Sequence, residues 1–208
     1  MKLKDEFESF YAANFGNIEL GSPVFYNFPI GIRFEIGDPT INFRHQKNKY
    51  IKQAVFRATT VFNELFDMDD MVYVVVNSFE DRLNDLSDHD ISAARPLIKN
   101  ISDEYIYNLI SDDGEVSYKR YVFQVKVKSV ETAELLERII RSEIGGPYTL
   151  SSCVYIFNGR TGVLYYLYDD RGLDVVANET QKLLKIYRKY NDWILDYDRE
   201  KIEKTFAI

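Results

Sequence analysis

The chain is poor in the residues on which most catalytic centres are built. One cysteine, Cys153, excludes an intrachain disulfide and any metal site assembled from cysteine pairs. It falls in an apolar stretch that reads as a strand, where a thiol acts as a small hydrophobe. The two histidines, His45 and His89, have no Cys or second His at ligand spacing. His45 sits among Arg44, Gln46 and Lys47, and His89 between Asp88 and Asp90, so both read as exposed loop residues. No Gly-x-Ser-x-Gly elbow is present, and no glycine pattern that would cradle a phosphate. Gly31 and Gly37 bracket a strand, while Gly159 and Gly162 belong to a hairpin turn. No cofactor is therefore expected. Positive charge is also short, with 26 Lys and Arg against 33 Asp and Glu and a formal charge of −7. Such a chain repels nucleic-acid backbones and anionic lipid. It has no apolar run of about 18 residues to span a membrane, and it opens Met-Lys-Leu-Lys-Asp-Glu without an apolar leader. The expected compartment is the cytoplasm.

What the chain has is apolar bulk and aromatic rings. Apolar residues make up 46% and aromatic residues 15%, with 16 Tyr and 14 Phe, enough for a sizeable core containing a sheet. Leu3, Phe7, Phe10 and Tyr11 recur at helical spacing over 2–14. Ile30, Ile32, Phe34 and Ile36 alternate with Arg33 and Glu35, which predicts a half-buried strand. Ile51, Ala54, Val55, Ala58, Val61, Phe62 and Leu65 mark the longest helix, over 47–66. Met71–Val76 reads as a strand covered on both faces. A strand is predicted over 121–128. A helix follows, with Ser129 as its N-cap, Leu135, Leu136, Ile139 and Ile140 inward, and Gly145-Gly146-Pro147 as its stop. Cys153–Phe157 and Val163–Tyr168 flank Asn158-Gly-Arg-Thr-Gly162 as a hairpin. A helix near 179–190 and a short amphipathic end complete the chain, while 77–114 shows little periodicity.

Charge is concentrated twice. Asp67, Asp69, Asp70, Glu80, Asp81, Asp85, Asp88 and Asp90 face only Arg82, so this window alone accounts for the whole excess of −7. It suits steering of a basic protein partner, or simply keeps the chain solvated. In the tail, Asp169, Asp170 and Asp174 are followed by Asp196 and Asp198 at strand-like i, i+2 spacing. Carboxylates converging from two strand ends could hold Mg²⁺ for phosphoryl chemistry. They equally suit turns and ion pairs with Arg171 and Arg199.

The string Tyr168-Asp169-Asp170-Arg171-Gly172-Leu173-Asp174-Val175, followed by Trp193-Ile-Leu-Asp196-Tyr197-Asp198-Arg199, resembles the signature of a bacterial family catalogued as domain of unknown function 3885. The likeness is concentrated at about 165–206, and Gly31-Ile-Arg-Phe-Glu is similar as well. It implies membership and no activity, ligand or catalytic residue.

The expected architecture is α+β: a two-layer sandwich over 1–208, with a mixed or mainly antiparallel sheet and helices packed on one face. The expected function is a non-enzymatic protein-interaction module, of the kind that masks a basic partner as an immunity protein does. The alternative is a divalent-metal-dependent hydrolase using the five tail carboxylates. Strand order and oligomeric state are not legible at this level.

Overall fold

A computed structural model describes residues 2–21, 23–79, 89–110, 117–145, 149–150 and 154–207. Among these residues seven strands form one sheet in the order β1-β7-β6-β5-β2-β4-β3, and every neighbouring pair is antiparallel. They are β1 (Gly31–Glu35), β2 (Met71–Phe79), β3 (Asp103–Ile110), β4 (Ser117–Lys126), β5 (Val154–Asn158), β6 (Leu164–Leu167) and β7 (Gly172–Val176). The α+β class and the antiparallel sheet match the sequence reading. The strand–helix–strand unit at the start is a true parallel crossover, yet its two strands are not neighbours. β1 and β2 run the same way with β7, β6 and β5 inserted between them.

The helices α3 (Phe43–Leu65) and α5 (Thr132–Ile144) pack on one face. Ala54 and Ala58 are fully buried, and their small side chains let α3 lie close to the sheet, where the Tyr165 hydroxyl donates to the Ala58 carbonyl at 3.0 Å. Gln46 breaks the regular backbone of α3 with φ −129° and ψ 35°, which is why the helical period begins just beyond it. α5 starts at Thr132 with Glu131 as its N-cap residue. Ser129, the expected cap, is instead held in a 3-10 turn over Val127–Ser129. Gly145 ends α5 at φ +78°, a conformation that an L side chain resists.

The opposite face is covered too, which departs from helices on one side. The helix α1 (Leu3–Phe15) brings Phe7, Phe10, Tyr11 and Phe15 around the ring of Phe157 at centroid distances of 5.7, 6.1, 5.8 and 5.7 Å. A one-turn helix, α2 (Val24–Asn27), packs on β7 and β1. The remaining helices are α4 (His89–Ala94), α6 (Leu184–Lys189) and α7 (Arg199–Phe206), whose buried apolar residues join the core on the α3 side. Among the described residues no helix is long and apolar enough to cross a membrane.

Candidate functional site

The tail motif wraps the end of the sheet where β1 pairs with β7. Arg33 stands opposite Asp174 in the ladder, on the strand face that alternation marks as polar. That face is closed by α2 and by the tail, so the pair is buried: the Asp174 side chain is 0% exposed and that of Arg33 only 11%. The guanidinium Nε and Nη2 donate to the two Asp174 oxygens at 2.8 and 3.1 Å, and the Phe25 N–H donates to the same carboxylate at 2.9 Å. Such a fork satisfies the carboxylate's acceptors, which burial would otherwise make costly. Burial pushes the Asp174 carboxyl above its ordinary range, and Arg33 pulls it part of the way back. The rings of Tyr26, Phe25 and Tyr168 surround the Arg33 guanidinium carbon at 4.7, 5.1 and 5.1 Å. Asp198 completes the cluster, accepting from the Tyr26 hydroxyl at 2.9 Å and from Arg33 Nη1 at 3.4 Å.

The other tail carboxylates are engaged locally. Asp169 accepts from the Arg171 and Gly172 N–H groups at 2.8 and 3.0 Å and pairs with the Arg171 guanidinium at 2.5 Å. This is the turn chemistry that lets β6 reverse into β7. Asp170 accepts from the Tyr50 hydroxyl at 2.8 Å, and Asp196 pairs with Arg199 at 3.0 Å. The spacing of Asp196 and Asp198 belongs to a 3-10 turn over Asp196–Asp198 rather than to a strand, so the two side chains serve different partners. Among the described residues no three His, Cys, Asp or Glu side chains are grouped as a metal site would require. Tyr197 is 84% exposed, and Trp193 packs on Tyr190 with centroids 4.8 Å apart.

Beside the buried cluster lies a cleft of about 460 Å³ lined by Glu35, Gly37, Pro39, Tyr50, Tyr168, Arg171 and Leu195. Two glycines leave room for its tyrosine walls. A Cβ on Gly37 would lie 2.2 Å from the Tyr50 hydroxyl, and one on Gly172 would lie 2.0 Å from the Tyr168 hydroxyl. Burial raises the pKa of both phenols, so they stay protonated, and Tyr50 donates to Asp170. Glu35 makes no hydrogen bond or ion pair through its carboxylate among the described residues. Desolvation raises its pKa, with Arg57 acting against the rise. This lining can hold a polar molecule. A second groove, of about 620 Å³, runs between α3 and α5 past the exposed ring of Phe56.

The acidic window separates into two parts. Asp70 is buried and accepts from Arg160 Nε at 2.8 Å and from Asn158 at 2.8 Å. Arg160 foremost holds its pKa down to about 2. Arg160 also reaches Asp67 at 3.3 Å, and Asp69 pairs with Lys128 and Lys126 at 2.6 and 3.7 Å. Asp90 lies in α4, while Glu80, Asp81, Asp85, Asp88 and Cys153 fall outside the described residues. Sequence reasoning missed Arg33, Tyr26 and Tyr50, whose partners lie more than 100 positions away. The available signals were the place of Arg33 on the polar face of an alternating strand and the family-like string Gly31-Ile-Arg-Phe-Glu.

The "Uncharacterized protein YnaE" of Bacillus subtilis (strain 168) is 23% identical over 200 residues, covering 88% of this chain and 94% of its own length. No solved structure matches. A family model described as "Domain of unknown function (DUF3885)" matches residues 7–198. With that match spanning nearly its whole length, from α1 to the last turn before α7, the chain belongs to the DUF3885 family.

Proposed function

We propose that the protein is a non-enzymatic, cytoplasmic interaction module that binds a basic protein partner through Glu80, Asp81, Asp85, Asp88 and Asp90, as an immunity-type protein masks its target. The observation that carries this reading is the way charge is distributed. Asp67, Asp69 and Asp70 are matched by Arg160, Lys126 and Lys128. The rest of the window's excess lies in the sequence between positions 80 and 90, which holds five acids and one base, Arg82. Stability and solubility do not require such localisation, whereas a concentrated field accelerates encounter with an oppositely charged surface. The tail supports the same reading from the other side, because each of its five carboxylates is engaged by a cation, a hydroxyl or a backbone N–H.

The test is the triple charge reversal Asp81→Lys, Asp85→Lys, Asp88→Lys, measured against the partner captured from host lysate. The association rate is expected to fall about tenfold or more at low salt, with thermal unfolding unchanged. An unaltered association rate would remove the acidic segment from the interface.

A further inference from the structure

The two outer strands of the sheet are β1 and β3. Alternate residues of an outer strand direct their N–H and C=O groups away from the neighbouring strand, which makes the edge a template for further pairing. Monomeric proteins commonly blunt such an edge with charged side chains, proline, a bulge or a covering segment. In β3 charge is confined to Asp103 and Glu104 at its start, and it has no proline. From Tyr105 to Ile110 its sequence is Tyr-Ile-Tyr-Asn-Leu-Ile, without charge, Pro or Gly. Its pairing with β4 runs in continuous register from Asp103↔Gln124 to Ile110↔Ser117. No described strand lies on its outer side. Ile106, in mid-strand, is 48% exposed, whereas its ladder partner Tyr121 is buried.

We propose that β3 pairs antiparallel with β3 of a second copy of this chain, about a two-fold axis through Ile106. The position of the axis follows from side-chain alternation. An axis perpendicular to the sheet keeps like faces together only if it passes through a residue, and Ile106 is the exposed apolar one near the centre. Ile106 then meets the partner's Ile106, and Tyr105 meets the partner's Tyr107. Asp103 lies across from the partner's Leu109, and Glu104 across from the partner's Asn108. No like charges face each other. Within each sheet Asn108 is opposite Lys119, so Glu104 also lies in line with the partner's Lys119. A basic strand from another protein would fit less well, since it finds carboxylates only at Asp103 and Glu104, at one end of the edge. A second copy carries its own acids to the other end. This pairing is independent of the acidic segment and goes beyond the binding function proposed above.

Sedimentation equilibrium of the full chain tests it from about 1 μM to about 1 mM, the range in which a contact at the small end of specific interfaces dissociates. The mass is expected to double with concentration. Ile106→Lys puts two like charges at the axis and is expected to stay monomeric throughout, with an unchanged circular dichroism spectrum. In a second variant, Ile106→Cys with Cys153→Ser, mild oxidation is expected to give a disulfide-linked dimer. Opposed Cα atoms in an antiparallel pair are about 4.5–5.5 Å apart, within disulfide reach. A wild-type chain that stays monomeric up to the highest concentration would overturn the proposal. A dimer that Ile106→Lys leaves intact, and that Ile106→Cys does not cross-link, would overturn it equally by placing the contact elsewhere.

Discussion

At β1 the outer edge of the sheet is occupied by the chain's own tail. The Leu195 N–H donates to the Arg33 carbonyl at 2.9 Å, Ile194 bridges to Phe34, and the Arg33 side chain joins α2, β7 and the tail through Asp174 and Asp198. At β3 the outer edge meets no strand among the described residues, and its middle is uncharged. The contrast shows two uses of polar groups. Near β1, charges are buried and matched, so they hold segments distant in sequence in one arrangement. Near β3, among the described residues, no strand takes up the backbone's outward hydrogen-bonding groups. A carboxylate-rich motif can therefore be architecture, and a plain apolar strand can be the part that recognises something.

Breaking the matched edge should give the largest effect. Asp174→Ala leaves the Arg33 guanidinium buried without its main partner and is expected to lower unfolding stability by about 3–5 kcal/mol, read from urea denaturation. Gly172→Ala should come next. Its methyl would collide with the Tyr168 hydroxyl and approach the Phe34 carbonyl to 3.0 Å, so a loss of about 1–3 kcal/mol is expected. Tyr168→Phe in the same background should recover part of that loss.

Acid should weaken contacts away from this edge. Glu64 on α3 pairs with Lys189 and Lys185 of α6, and Asp70 pairs with Arg160 in the turn between β5 and β6. Lys189 and then Lys185 hold Glu64 down to about 2, and Arg160 does the same for Asp70. Both carboxyls are thus more acidic folded than unfolded. Their contribution is complete above the ordinary carboxylate values of 4.5 and 3.8 and is lost as pH falls through about 2. Unfolding midpoints measured across this window should drop, and less steeply in Glu64→Gln. The smallest effect is expected at Asp196, whose side chain is 93% exposed in its pairing with Arg199. Asp196→Ala should leave the unfolding midpoint unchanged. A large loss there would sharpen the comparison by showing that the tail has a second anchor.

The legible parts of the fold were those whose pattern is local. The period of α3, the apolar face of α5 and the Asn158–Gly162 turn each carry their own signal, and the structure has them close to where the sequence places them. β3 was invisible because it starts with two acids, and Asn108 interrupts its apolar run; only pairing with β4 makes it a strand. The Asp196–Asp198 spacing read as extended because an i, i+2 pair of carboxylates carries no mark of the backbone between them, and here that backbone coils into a 3-10 turn. Arg33 could not be assigned a role from its neighbours, since its meaning depends on Asp174 arriving across the ladder.

The most direct test of whether the tail carboxylates are architecture is a double-mutant cycle on Arg33 and Asp174, using Arg33→Met, Asp174→Leu and the pair together in equilibrium unfolding. Each single variant should be strongly destabilised. The double variant should recover a substantial part of the loss, giving a coupling above about 1 kcal/mol. Strictly additive losses, or single variants as stable as the native chain, would contradict a structural role for the pair and return Asp174 to the candidates for chemistry.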